Sequence, residues 1–239
     1  MIQKVPRRKQ QISARTAALL VFLSFAVTGR SQSAAHILQQ IRNKLEKVND
    51  YEAWGKMTTN VAFIKAPAAD VKVYYKKPNR LRITNPAGIS FIPKGSVNIS
   101  LSNVFANLDT YEIIDAGHDS AGLRIIKLLP RSDTADIVLS SLYVNERSML
   151  IEKSKMTSRE NGTYELTMSY GRYSEYGLPD KIVFSFSTKD YKLPKGITLE
   201  YDDGSEKSNE SLKNKKGIVE ITYSGYRINV GVDDKVFQR

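Results

Sequence analysis

The feature that most limits how this chain can fold is a two-residue rhythm. Across Thr163–Tyr170 the polar residues Thr163, Glu165, Thr167 and Ser169 alternate with Tyr164, Leu166, Met168 and Tyr170. Successive side chains of a strand point to opposite faces, so this segment is a strand with one apolar and one solvated face. DVKVYYKK repeats the pattern, with Val71, Val73 and Tyr75 on one side and Lys72, Tyr74 and Lys76 on the other. Leu81 and Ile83 then alternate with Arg80, Arg82 and Thr84. Further strands are predicted near 148–158, 181–188, 197–203, 217–224 and 226–232. Asn161-Gly162 suits the positive φ values of a tight hairpin turn between strands near 148–158 and 163–172. Lys77-Pro78-Asn79, Asn85-Pro86, Pro93-Lys94-Gly95, Leu178-Pro179-Asp180 and Leu193-Pro194-Lys195-Gly196 supply the other turns. The polar, aperiodic run 204–217 reads as a long solvated loop.

Two segments depart from that rhythm. Ile37, Ile41, Leu45 and Val48, with Leu38 beside them, define an amphipathic helix of about four turns. Leu101, Val104, Phe105 and Leu108 mark a short second helix with a broad apolar stripe. No βαβ alternation joins these elements. The fold class is therefore mainly β (α+β): a strongly curved antiparallel sheet, or incomplete β-barrel, of about eleven strands with helices covering the concave face.

The N-terminus reads as an address. Basic residues at 4–15 precede the uncharged run Thr16–Val27, and small residues follow in TGRSQSAA. This is the order of a secretory signal, with cleavage expected after Ser33 or Ala35. Twelve uncharged residues fall short of the about 20 that a spanning helix needs. The twin arginines Arg7-Arg8 lack the apolar residues of a twin-arginine signal. The chain thus divides into a cleaved signal at 1–33 and one domain at 34–239, with the periplasm as the expected destination. The formal net charge of +11 shrinks accordingly. Residues 1–33 hold six basic groups and no acid, and the remaining 206 residues carry 30 basic and 25 acidic groups. A mature net charge of +5 describes a mixed surface, not a phosphate-binding one.

The chemical inventory is sparse. There is no cysteine, which excludes disulfides, zinc-thiolate sites, thiol nucleophiles and an acylated N-terminal cysteine. His36 and His118 are the only histidines, and His118 in AGHDSAG reads as a turn residue. Nucleophile-elbow, phosphate-loop, dinucleotide and HExxH motifs are absent, so neither cofactor nor metal is expected. Asp202-Asp203-Gly204-Ser205-Glu206 lacks the spacing of a calcium loop. Asp119, Asp133 and Asp136 flank strands, and nothing selects a catalytic pair among them. Lys76, Lys77, Arg80 and Arg82 beside Tyr74 and Tyr75 superficially resemble a single-strand nucleic-acid platform, but export and the solvated face of an edge strand account for them.

Taken in order, YEAWGKM, VKVYYKKPNRLRI, the insert AGISFIPKG, LPDKIVFSF and the terminal YSGYRINVGVDDKVF resemble the periplasmic LolA-like outer-membrane lipoprotein-sorting proteins, including Bacteroidetes-type members. The resemblance runs over residues 34–239. Its most specific points are the Lys-Pro-Asn turn and the pattern from Asn229 to Phe237. It implies an unclosed barrel whose apolar cavity shields acyl chains, and a carrier or binding protein for lipid-modified proteins or other acylated ligands, without enzymatic activity. The cavity lining so implied is Val71, Val73, Tyr75, Leu81, Ile83, Leu166 and Met168, with Phe91, Leu101, Val104, Phe105 and Leu108 as lid. The same phase would also serve a filled core. Where proteobacterial carriers have arginine before the turn proline, this chain has Lys77, the expected gate, without the planar guanidinium fork. The implied partners are an acylated lipoprotein or lipid, an inner-membrane releasing transporter and an outer-membrane acceptor. A monomer with only transient membrane contact and no nucleic-acid partner is expected. A sensor-type, protein-binding half-barrel is the alternative, and an envelope hydrolase working through carboxylates stands behind it.

Overall fold

In the computed structural model of the chain, described over residues 32–60, 68–85, 104–105, 107–159, 162–187 and 216–238, the helical period yields one helix. Helix α1 spans Ala34–Leu45, and the Ser33 hydroxyl caps it by accepting from the His36 backbone N–H at 3.2 Å. Ala34, Ile37, Leu38 and Ile41 form its buried stripe, while Arg42 and Lys44 sit in the last turn, where the helix dipole favours cations. The helix is shorter than the four turns expected. Lys47 and Val48 donate to carbonyls three residues back, so Val48 lies in a tightened turn and still points inward.

Ten strands follow: β1 (Asp50–Asn60), β2 (Ala69–Lys76), β3 (Arg80–Thr84), β4 (Tyr111–His118), β5 (Arg124–Pro130), β6 (Ile137–Asn145), β7 (Leu150–Ser158), β8 (Gly162–Ser169), β9 (Lys181–Ser187) and β10 (Lys216–Ile228). They form one curved, open antiparallel sheet in the order β3-β2-β1-β10-β9-β8-β7-β6-β5-β4. Neighbouring strands are consecutive in sequence except β1 and β10, which lie side by side within the sheet, and the consecutive strands β3 and β4 form its two edges. The alternation of β8 places Tyr164, Leu166 and Met168 opposite Phe186, Phe184 and Ile182 of β9. The curved-sheet expectation holds with ten strands among the described residues. The segment predicted as a strand at 197–203, residues 204–215 of the loop expected at 204–217, and Asn161 lie outside them, while Lys216 and Gly217 of that loop instead begin β10.

Two sequence expectations change. The segments near 217–224 and 226–232 are not separate strands, since β10 runs on to Ile228 through a bulge at Ser224. The bulge skips one residue of the pairing, so Tyr223 and Tyr226, three apart, face the same side with rings 5.0 Å apart. Likewise YEAWGKM, which the family resemblance sets at a helix-to-strand junction, lies wholly inside strand β1, which begins at Asp50. Gly55 lies opposite Tyr223, where a Cβ would sit 2.5 Å from the Thr222 carbonyl oxygen. Gly55 therefore serves a close strand approach.

The core lies on one face of the sheet. Ala53 and Met57 from β1, Val71 and Val73 from β2, Ile126 and Leu128 from β5, Leu142 and Val144 from β6, and Phe184 and Phe186 from β9 join the buried face of α1 in one apolar cluster. Helix α1 packs against β4 and the 3-10 turn Ser174–Tyr176. Among the described residues no helix is long and apolar enough to cross a membrane.

Candidate functional site

The candidate site is the inner face of this sheet and the segments that meet it. Register explains why the β2–β3 residues converge: Val73 pairs with Ile83 and Tyr75 with Leu81, so all four side chains share a face. Val71 and Val73 are buried, and Leu81 and Ile83 half-buried. Val104, Phe105 and Leu108, expected as lid, join the same cluster as the sheet, with Val104 and Phe105 helical. Met168 and the half-buried Leu166 complete the cluster from β8. Tyr75 falls in a smaller adjoining cluster with Val48 and Leu178, and Leu81 packs against both. Phe91 and Leu101 lie outside the described residues.

Sequence reasoning passed over much of this face. RIIKLLP and IVLSSLYVN are nearly continuous apolar runs, so alternation cannot choose a phase for them. Only the strand register shows that Ile126, Leu128, Leu142 and Val144 point inward, each fully buried. Three polar groups sit among them. Ser140, Ser154 and Tyr164 turn their hydroxyls to the inner face of β6, β7 and β8.

The electrostatics of the face are neutral in character. Burial is the main force keeping the Tyr164 phenol protonated, with Asp136 and Tyr111 adding to it. Burial likewise raises Tyr170, whose hydroxyl donates to the Ile151 carbonyl at 2.8 Å, and Tyr223. Tyr226 is also raised strongly, by burial and then by Tyr223 and Tyr51, and it donates to the Pro179 carbonyl at 2.7 Å. The two ionised groups buried among the described residues, Asp50 and Arg124, are both engaged. Asp50 accepts from the Val230 and Gly231 backbone N–H groups at 2.9 and 3.0 Å, and Arg124 pairs with Asp115.

Lys77 sits where the β2–β3 turn meets the C-terminal end of α1. Its ammonium donates to the Glu46 carbonyl at 2.7 Å and to Asn49 Oδ1 at 3.3 Å, and its backbone N–H to the Asn49 carbonyl at 2.9 Å. The Lys77-Pro78 peptide is cis. A single ammonium thus ties the turn to the helix end, where free carbonyls and the dipole favour a cation.

The remaining basic residues of β2 and β3 are held by the C-terminal segment. Lys76 donates to the Val232 carbonyl at 2.9 Å and pairs with Asp234, which also meets Arg80 at 3.0 Å. Arg82 donates to the Val236 and Gln238 carbonyls, and the Arg80 guanidinium lies over the Phe237 ring at 5.3 Å. Lys72 pairs with Glu52 at 3.4 Å. This basic cluster is therefore engaged within the chain rather than presented to a polyanion.

The terminal Asn-Val-Gly pattern has a structural role of its own. Asn229 adopts the left-handed conformation, accepts from the Asn49 N–H at 2.7 Å and donates to the Lys47 carbonyl at 2.9 Å. Gly231 also takes positive φ. The acidic candidates serve turns as well: Asp119 accepts from the Ala121 and Leu123 N–H groups, and Arg159 donates to the Asp133 and Ala135 carbonyls. His118 ends β4 and contacts Glu146 at 2.8 Å. Among the described residues no three His, Asp or Glu side chains gather as a metal site would need.

Solved structures share this architecture. A LolA superfamily protein from Nitrosomonas europaea superposes with a TM-score of 0.55 at 12% identity, covering 87% of this chain and 99% of that one. A Vibrio parahaemolyticus domain described as an outer-membrane lipoprotein-sorting protein gives 0.53 at 10% identity, covering 84% of this chain and 94% of its own. A DUF1329 family protein from Desulfovibrio piger gives 0.53 at 12% identity over 85% of this chain and 96% of that one. No protein-family model and no curated protein sequence matches the chain. The fold is a LolA-like incomplete barrel.

Proposed function

We propose that this chain is a periplasmic carrier for lipid-modified proteins or other acylated ligands, exported by residues 1–33 and acting as a monomer that touches membranes only transiently. The observation that carries the reading is the open antiparallel sheet with one apolar face, onto which Val104, Phe105 and Leu108 fold. A lipid-modified protein crossing water must hide its acyl chains, each methylene of which gains about 0.8 kcal/mol on burial. An unclosed sheet admits such chains from the side and yields them to a partner with stronger apolar contacts. On this reading an inner-membrane transporter loads the carrier and an outer-membrane acceptor unloads it. The chain itself makes or breaks no covalent bond. The LolA-like fold supports this reading, as does a face whose phenols are held neutral.

The test compares two aspartate substitutions. Ile126 is fully buried beneath the sheet face, so Ile126→Asp should abolish folding. Leu81 is half-buried at the β2–β3 margin, so Leu81→Asp should keep a folded protein while weakening binding of a dye-labelled acyl chain at least tenfold. If Leu81→Asp loses folding and binding together, the margin is ordinary core and the reading fails.

A further inference from the structure

Three hydroxyls on the inner face lack a hydrogen-bond partner among the described residues: Ser140 Oγ, Ser154 Oγ and Tyr164 Oη. Their residues are 0%, 1% and 5% exposed. Buried hydroxyls without partners cost free energy, and alanine or phenylalanine would fill the same space without that cost. The three are also neighbours. Ser140 lies directly opposite Met156, Met156 lies directly opposite Tyr164, and Ser154 is two residues along β7 from Met156, between Leu142 and Leu166. On an antiparallel sheet this places Ser154 about 7–8 Å from each of the other two, and Ser140 about 10 Å from Tyr164 with Met156 between them. They form a single polar island in an apolar field.

We propose that Ser140, Ser154 and Tyr164 bind the carbonyl oxygen of an ester- or amide-linked acyl chain, so that the ligand's linkage is anchored while its hydrocarbon lies along the flanking apolar residues. This rests on the carrier reading and adds the ligand's chemistry to it. A hydroxyl can donate to a carbonyl oxygen, and three hydroxyls on one face around Met156 offer up to three such donors. They suit a neutral acceptor better than a carboxylate, because Asp136 and Tyr111, the groups acting on Tyr164, contribute no positive charge. A free fatty acid should therefore bind more weakly than its ester.

The experiment uses hexadecane, methyl palmitate and palmitate as probes, each displacing an environment-sensitive dye from residues 34–239. The variant S140A/S154A/Y164F keeps the shape of the face and removes all three hydroxyls. It should melt at the same or a higher temperature than the parent, bind hexadecane equally and lose about tenfold in affinity for methyl palmitate. Equal losses for hexadecane and the ester, or no loss for the ester, overturn the assignment and leave the carrier reading standing. A parent protein that takes up neither probe overturns both. Competition against bound methyl palmitate names the source. Displacement by a synthetic diacylated lipopeptide or by dipalmitoyl phosphatidylethanolamine supports the site and identifies its ligand, whereas displacement by neither overturns it.

Discussion

Asp50 joins the start of the sheet to the end of the chain, and its replacement tests whether that joint is polar in origin. Its Oδ1 accepts from the Val230 and Gly231 N–H groups, and its own carbonyl accepts from Asn229 N–H at 2.8 Å. Asp50→Ala removes the first two bonds and leaves the third. Hydrogen bonds to a charged group contribute about 1.5–3 kcal/mol each, which sets a ceiling near 6 kcal/mol. Val230 and Gly231 are exposed, so water takes over part of the donation, and the expected loss is about 2–3 kcal/mol. For a domain of this size that lowers the melting temperature by roughly 5–10 °C. Asp50→Asn keeps an acceptor at the same place and should recover about half of the loss. The assay is urea unfolding followed by fluorescence of Trp54, the sole tryptophan, which lies on the same strand. A loss below about 0.5 kcal/mol for Asp50→Ala, or an asparagine variant no better than alanine, would refute the reasoning.

Burial holds the Tyr164, Tyr170, Tyr223 and Tyr226 phenols protonated above their ordinary range. Above pH 10 the folded chain thus binds more protons than the unfolded one, so this stabilisation is complete below the ordinary phenol value and declines as the pH rises beyond it. The phenolate absorbance of these four should then appear only with loss of the sheet signal in circular dichroism, and titration of all 13 tyrosines in still-folded protein would contradict the burial. Lys77→Ala should cost only about 0.5–1 kcal/mol, because an exposed ammonium at a helix end contributes modestly, yet it should speed amide exchange at 44–48 and hasten release of a bound acyl probe. Lys77→Arg should restore both, and unchanged release would leave Lys77 as a helix anchor alone.

How far the sequence discloses this fold depends on how local each signal is. The alternation of Thr163–Tyr170 and DVKVYYKK appears in the structure as β8 and β2, since one wet and one dry face impose a two-residue period on each strand. The β10 bulge is different. Tyr223-Ser224-Gly225-Tyr226 looks like a break between strands, and only pairing with β1, some 170 residues earlier, keeps the strand continuous. The phase of β5 and β6 is hidden for a related reason: apolar residues occupy both parities of RIIKLLP, and register alone selects Ile126 over Ile125. Of the candidate face, Val71, Val73, Leu81 and Ile83 were readable from alternation. Ser140 and Ser154 were not, because a serine in a strand signals a solvated position unless the neighbouring strands place it inside. The pattern from Asn229 to Phe237 was visible as a motif, but its work in clasping Asn49, Asp50, Lys76 and Arg80 required the structure.

The central claim is that the apolar face holds acyl chains, and native mass spectrometry tests it most directly. Full-length protein would be produced in a bacterial host, purified without detergent and weighed intact, with organic extraction of whatever accompanies it. The account predicts a population heavier than the polypeptide by the mass of a lipid or acylated peptide, lost on extraction and regained when a diacylated lipopeptide is added. A single apo mass that takes up neither lipopeptide nor fatty-acyl ester would contradict it.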